Sequence, residues 1–282
     1  MKILVLGINF SPEIIGTAVY TSGLVMHLAE EGNIISVVSA QPYYPAWKVF
    51  KGYNKYWYTN EVVSKAISIT RCPHYVPLVP TGAKRILHHT SFALFSLPVF
   101  LWKALTWRPD VVFVVAPSLI SAPVGWIGAR LSRAKCWLHI QDLEVEAAFA
   151  TGLLTEKTRI GWLARVFETW ILSRFDKVSS ISETMLKKIS EKGVPENRLY
   201  ELRNWADLSN IEPIVHETKL KEELGITAPY VILYSGNIAN KQGLDIIPKV
   251  AKLLMHRQDT AFIICGDGSF CSELKEMCCN IP

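Results

Sequence analysis

The sequence predicts an α/β fold built from parallel sheets in two successive domains, and three observations lead there. Apolar strand-like runs alternate with helical patterns from the second residue onward. Such alternation gives a parallel sheet covered by helices on both faces. The length, 282 residues, exceeds what a single core usually serves. A polar stretch carrying Pro213 and Pro229 then separates the first series from a new strand, VILYSG. The expected boundaries are a first domain over 1–207, a connection over 208–229, and the beginning of a second, incomplete domain over 230–282. Both domains are expected to be Rossmann-like.

Each element has its own local reason. KILVLGI is a continuous apolar run, followed by the loop NFSPEIIGT. Ala18 to Glu31 reads as a helix, with Leu24 and Leu28 one turn apart and Gly32 as its stop. IISVVSA is the next strand, and after the irregular aromatic stretches QPYYPAW and GYNKYWY comes AISITRC. A helix is expected over about Ala83–Thr106, a fully buried strand in PDVVFVVAP, and a helix rich in small residues over Ser121–Leu131. KCWLHIQD is a strand ending on a carboxamide and a carboxylate; a helix over Thr158–Arg174 leads to the short strand KVSSIS. Ser182-Glu183 caps MLKKISEKG, Gly193 stops it, and RLYELRNWAD closes the series. The second domain opens with VILYSG, one helix, the buried strand TAFIICGDG and the helical CSELKEMCC.

Charge is unevenly spread. Residues 1–210 hold 23 Lys/Arg against 16 Asp/Glu, and residues 211–282 hold 7 against 9. A basic first part fits a phosphorylated substrate or an acidic membrane surface, with ordinary surface lysines as the plain alternative. The 6 cysteines show no CxxC and no His/Cys spacing suited to zinc, so they are read as reduced and structural, in a cytoplasmic protein with no bound metal. The opening MKILVLGINF lacks the run length of a signal peptide. The longest apolar stretch, Ser91 to Leu105, is broken by Pro98 and Lys103 and falls short of the ~20 residues that span a bilayer. Lys84, Arg85, His88 and His89 precede it, and Trp102, Lys103, Trp107 and Arg108 follow its core. Two readings stay open for it: a buried helix of the α/β core, or a segment lying in a membrane interface.

Ligands of parallel sheets bind at the carboxyl ends of the strands. Those ends deliver Ser11-Pro12-Glu13 with Gly16-Thr17, then Pro117-Ser118, then Gln141-Asp142-Leu143-Glu144. In the second domain they deliver Gly236-Asn237 with Lys241, and Gly266-Asp267-Gly268. A strand that stops on glycine and hands over to a helix through a loop with one lysine brings main-chain N–H groups and a cation towards an anion. Neither a dinucleotide-binding glycine fingerprint after the first strand nor a Walker A sequence is present, so neither NAD nor ATP is expected.

Taken in order and spacing, several segments resemble one family. They are SPEIIGTAVYTSGLVMHLAEEGNIISVVSA, PDVVFVVAPSLISAPVGWIGARLSRAKCWLHIQDLEVEAA, SSISETMLKKISEKGVPENRLYELRNWAD, VILYSGNIANKQGLD and FIICGDG. They are similar to the retaining, two-domain nucleotide-sugar glycosyltransferases of family 4, which have the GT-B fold, and especially to those of bacterial O-antigen, capsule and colanic-acid assembly. The resemblance implies transfer of a sugar from a nucleotide-sugar donor to a lipid-linked saccharide acceptor. It also implies a peripheral enzyme at the inner face of the membrane, with no cofactor beyond the co-substrate, no metal and no nucleic-acid partner.

The resemblance also implies residue roles. Gly236 and Asn237 would bring main-chain donors to the departing diphosphate, Lys241 a point charge, and the helix after Gly243 its positive end. Gly16 would let backbone approach the reacting sugar, and Asn204 would shape the cleft or act as a hinge. Two departures are visible. Gln242 stands where many relatives carry a basic residue, and Gln141-Asp142 where many carry histidine-aspartate. Asp142 is thus read as contacting a sugar or as capping the next helix, and His139 as packed rather than catalytic. The family's acidic pair would lie beyond residue 282, so the chain alone is expected not to transfer sugar. The alternatives are a non-catalytic binding domain and a nucleotide-sugar epimerase or dehydrogenase.

Overall fold

A computed structural model describes the whole chain except residues 15, 151, 156, 207, 209–212, 214–218, 280 and 282 and the side chain of Lys241. The chain divides into two compact units, Met1–Ala206 and Asp207–Pro282. Of the connection expected over 208–229, residues 209–212 and 214–218 lie outside the described residues.

The first unit is built on one eight-stranded sheet. Its strands are β1 (Lys2–Gly7), β2 (Ile34–Ala40), β3 (Thr59–Val62), β4 (Ile67–Cys72), β5 (Val111–Ala116), β6 (Lys135–Ile140), β7 (Lys177–Ser180) and β8 (Leu199–Glu201). The spatial order is β3-β4-β2-β1-β5-β6-β7-β8. Helices α1 (Gly16–Glu30), α2 (Gly82–Trp107), α3 (Ala122–Ser132), α4 (Glu144–Ala150), α5 (Arg159–Leu172) and α6 (Glu183–Glu191) connect them. Successive side chains of a strand face opposite ways. Leu4 and Leu6 of β1 therefore join Val112, Val114, Phe92 and Phe100 in one core, while Ile3 and Val5 join Val37, Val115 and Val25 in the other. The small residues of α3 serve close packing: a side chain at Gly125 would collide with Val114, and one at Gly128 with the Phe100 ring.

The all-parallel expectation fails at one edge, where β3 runs antiparallel to β4. Two causes are local. Ser64 Oγ accepts from the Ala66 and Ile67 N–H groups at 3.1 Å and closes a tight return. Glu61 on β3 grips the buried guanidinium of Arg71 on β4, with Nε to Oε1 at 3.0 Å. TNEV has no apolar run, so its strand depends on the turn at Ser64 and on polar contacts to the neighbouring strand.

Helix ends follow the local chemistry expected of them. Ser182 Oγ accepts from the Met185 N–H at 3.3 Å, and Gly193 stops the chain at φ 93°. Pro98 lies inside α2 without ending it, because the helix is packed along one side through His88, Phe92, Ser96, Phe100 and Ala104.

The second unit holds a single-turn helix α7 (Leu220–Glu223), two parallel strands, β9 (Tyr230–Ser235) and β10 (Thr260–Cys265), and helices α8 (Ile246–Leu253) and α9 (Cys271–Cys278). Its small core is Ile238, Leu244, Phe270 and Leu274. The two units together are the expected pair of α/β domains, the second smaller than the first.

Candidate functional site

The chain lays β1, β2 and β4 outward in one direction, then returns to place β5 on the other side of β1. The carboxyl ends of β1 and β5 thus form the topological switch point, where open α/β sheets bind ligands. The loop after β1 is anchored there by a carboxylate. Glu13 is buried, and Oε1 accepts from the Tyr43 and Tyr44 N–H groups at 2.9 and 2.8 Å, while Oε2 accepts from Asn9 Nδ2 at 3.0 Å. Burial raises its pKa, and these hydrogen bonds to the ionised form oppose the rise. With all its contacts internal, Glu13 holds the loop in shape. Gly16 opens α1, exposed, with a φ outside the left-handed region, and an added Cβ would meet only the Tyr20 ring at 3.7 Å. The fold itself does not require glycine there.

Across the switch point, Ser118 is held in the left-handed region at φ 88°. For a residue with a side chain this is strained backbone. The carboxylate of Glu144 holds it, accepting from the Ser118 N–H at 2.9 Å and the Leu119 N–H at 2.6 Å. His89 Nε2 stands 4.0 Å from the same carboxylate. Asp142 is exposed beside this group and lines a small depression with Leu119, Leu143, Glu144 and Glu168.

Behind Asp142 runs a closed polar network. Gln141 Nε2 donates to His139 Nε2 at 3.0 Å and to Asn204 Oδ1 at 3.1 Å, and Asn204 Nδ2 donates back to Gln141 Oε1 at 3.1 Å. His139 Nε2 must then be an acceptor, so its proton sits on Nδ1 and is donated to Ser179 Oγ at 2.9 Å. Burial lowers the His139 pKa to about 4 and keeps the ring neutral. A carboxamide at 141 can supply two donors and an acceptor at once, and all three are used. Trp205 follows Asn204 and packs edge-on to Tyr20 at 5.3 Å, against Gly23. The end of the first unit is thereby tied to β6 and to α1.

A second set of rim side chains is less satisfied. His74, His88, Tyr43 and Trp47 pack ring against ring at centroid distances of 4.6–5.4 Å. His88 Nδ1 donates to the Tyr75 carbonyl at 2.6 Å, which leaves Nε2 buried without a partner. Neither ring nitrogen of His74 makes a well-formed hydrogen bond, though the Cys72 main chain offsets part of the cost. Desolvation pushes His74 down to about 3 and His88 and His89 to about 4. Among the described residues no group of three or more His, Cys, Asp or Glu side chains is placed to hold a metal ion.

In the second unit the loops after β9 and β10 interlock. Gly266 and Gly268 have φ of 146° and 155°, and a side chain on either would run into the carbonyls of Gly236 or Ile238. The Gly236 N–H, expected to face an anion, donates instead to the Cys265 carbonyl at 3.0 Å, and Ile238 N–H donates to Asp267 at 2.9 Å. Asn237 lies exposed between them. Lys241 follows in a single 3-10 turn, Asn240–Gln242, and its side chain lies outside the described residues. The start of α8 offers fewer donors than expected. Ile246 and Ile247 N–H already donate to the Gly243 and Leu244 carbonyls, Pro248 has none, and Asp245 carries a negative charge there, paired with Lys249.

The structure thus brings Asp142 beside Glu144, joins Asn204 to Gln141, and puts Gly236 and Asn237 on one interlocked rim. Sequence reading placed Glu13, Ser118 and Glu144 at the rim without roles and missed the His74–His88–Tyr43 set. Its members come from three segments, and no spacing connects them.

Comparison with known proteins gives a consistent result. The model of the glycosyl transferase 4-like domain matches residues 16–205. The chain is 38% identical over 283 aligned residues to WcaI of Escherichia coli (strain K12), provisionally named a colanic acid biosynthesis glycosyl transferase, covering 98% of this chain and 68% of that protein. It shares its fold with Anabaena HepE in complex with UDP-glucose (TM-score 0.61, 13% identity, 100% of this chain and 66% of HepE). A structure from Listeria monocytogenes, provisionally named a UDP-N-acetylglucosamine 2-epimerase, is similar in fold too (TM-score 0.56, 12% identity, 99% and 65%). The chain therefore spans about two thirds of the length of each of these proteins. It belongs to the glycosyl transferase 4-like family.

Proposed function

We propose that the chain forms the acceptor side and part of the donor side of a transferase. It would move a glycosyl group from a nucleoside-diphosphate sugar to a lipid-linked saccharide in bacterial cell-surface polysaccharide assembly. The observation that carries this reading is the identity with WcaI along nearly the whole chain. The sugar-nucleotide complex of HepE supports the donor class by fold. The epimerase reading rests on fold alone, at 12% identity.

The chemistry needs little beyond positioning and charge. As the glycosidic bond to the diphosphate lengthens, negative charge grows on the leaving oxygen, and fixed donors and cations there lower the barrier. The exposed Asn237 and the Lys241 ammonium take that role, without a metal and with retention at the anomeric carbon. Asp142, exposed in the loop after β6, contacts a sugar hydroxyl, and Gly16 leaves room for the reacting ring. Gln141 and Asn204 fix the rim and the exit strand without touching substrate. Titration calorimetry with a panel of nucleotide sugars, run beside a product assay on a lipid-linked acceptor, tests the proposal. Binding of one nucleotide sugar with product formation supports it. No nucleotide-sugar binding by the intact protein overturns it.

A further inference from the structure

We infer that the outward side of α2, with the aromatic turn Tyr53–Tyr58 seated on it, is a docking face for the surface of an anionic lipid bilayer. The inference rests on the transferase reading for its purpose, access to a lipid-linked acceptor, while its physics stands on the surface itself. Both readings left open for Ser91–Leu105 describe one helix. The side through His88, Phe92, Ser96, Phe100 and Ala104 is buried, whereas Leu87, Leu94, Pro98 and Leu105, at spacings of seven, four and seven, form an exposed stripe. Phe95 and the 63% exposed Trp102 widen it.

The aromatic turn is held in place from several directions. Tyr58 Oη donates to the Phe95 carbonyl at 2.8 Å and pins the turn to the middle of α2. Asn54 Oδ1 accepts from the Tyr56 and Trp57 N–H groups at 3.0 and 3.1 Å, and Gln41 Nε2 donates to the Trp57 carbonyl at 3.0 Å. This fixed backbone nonetheless leaves the Tyr56 and Trp57 side chains outside, at 73% and 71% exposure. Tryptophan and tyrosine, apolar in body and polar at one edge, favour the headgroup level of a bilayer.

Charge selects the partner. Residues 42–60 and 73–109 contain no Asp or Glu, and their exposed Lys48, Lys51, Lys55, Lys84, Arg85 and Arg108 are all cationic. Lys55 Nζ stands 5.5 Å over the Tyr56 ring, next to the exposed apolar surface. The carboxylates that flank these segments, Glu61 and Asp110, are engaged by Arg71 and by the Lys2 N–H, and the apolar and aromatic side chains standing among the cations complement an acidic lipid surface. Among the described residues no helix is long and apolar enough to cross a membrane, so the face lies on the bilayer.

The test is flotation of the intact protein with vesicles of phosphatidylcholine alone or mixed with phosphatidylglycerol. Three versions are compared: the natural sequence, the double variant Trp57→Glu/Phe95→Glu, and Met255→Glu, an exposed change in the second unit. The natural protein and Met255→Glu are expected to float with the anionic vesicles at low salt and to be released at high salt. The double variant should partition about tenfold more weakly with an unchanged melting temperature. Absence of flotation at low salt, equal flotation of the double variant, or capture by an acidic protein without vesicle binding overturns the inference. Flotation without sugar transfer leaves the docking face standing and removes the transferase. Transfer to a water-soluble acceptor by a protein that does not float removes the face alone.

Discussion

At the scale of single residues, side chains that hold the fold differ from those given a part in the proposed chemistry. Gln141 holds: its carboxamide fills hydrogen bonds to His139 and Asn204 at once. Gln141→Ala should leave those partners unpaired and cost roughly 1–3 kcal/mol, read as a lower midpoint in urea with an unchanged slope. Lys241 acts in the proposed function. Tested in a full-length version of the protein, Lys241→Ala should reduce turnover about ten- to a hundredfold, the loss of one charge-assisted contact of roughly 1.5–3 kcal/mol, with no change in melting temperature. Unchanged turnover would make it a solvated loop lysine and move attention to Gln242. Neither role can be read from residue type alone. The glutamine is ordinary in the sequence, and what gives it a holding role is that His139 and Asn204 already use its polar atoms.

At the scale of elements, two departures from simple patterning carry the stability argument. The edge strand β3 exists because Glu61 meets Arg71, a guanidinium that is 1% exposed and lies over the rings of Phe10 and Tyr53. Glu61→Gln should weaken a charge-assisted pair and cost roughly 1.5–3 kcal/mol, at the low end because Glu61 is partly open to water. Hydrogen exchange localised to residues 59–72 would distinguish this from a global loss. Helix α3 lies close to β5, and Gly125→Val should force atoms into Val114. Overpacking of that kind costs about 1–3 kcal/mol and should be readable as a lower melting temperature. The helices and central strands were legible from periodicity and caps. The antiparallel edge was not, because its pairing is decided by the Ser64 turn and by polar contacts such as Glu61–Arg71 rather than by an apolar run.

At the scale of the whole molecule, the neutral histidine set links stability to pH. His74, His88, His89 and His139 all have pKa values pushed down by burial, to about 3 for the first and about 4 for the others. The unfolded chain binds protons from near pH 6.5, its ordinary histidine range, while the folded chain refuses them until near pH 4. Stability is therefore fully present above about pH 6.5 and declines as pH falls from there towards 4. Melting temperatures measured across that window should decrease. His74→Phe keeps the ring packing and removes one such group, so its curve should be flatter. A curve for His74→Phe parallel to that of the natural protein would show that other groups carry the acid sensitivity.

The sequence by itself determined the strand–helix alternation, the two successive α/β units, most helix boundaries and the family. These depend on periodicity, caps and motif order, which are local and survive reading along a single chain. It also placed Asp142, Gly16, Gly236 and Asn237 at strand ends, because in a parallel sheet ligands gather at the carboxyl ends of the strands, while Asn204 came from the resemblance alone. Only the tertiary structure decided how those rim groups are used. It spent the Gly236 N–H on Cys265, paired Asn204 with Gln141, and gave Glu144 to the strained backbone of Ser118. It gathered three distant segments into the His74–His88–Tyr43 set. It also seated the aromatic turn 53–58 on the exposed side of α2. The physical reason is the same in each case: hydrogen bonds and ring contacts depend on distances of a few ångströms between residues far apart in the chain, and such distances are set only once the sheet has formed.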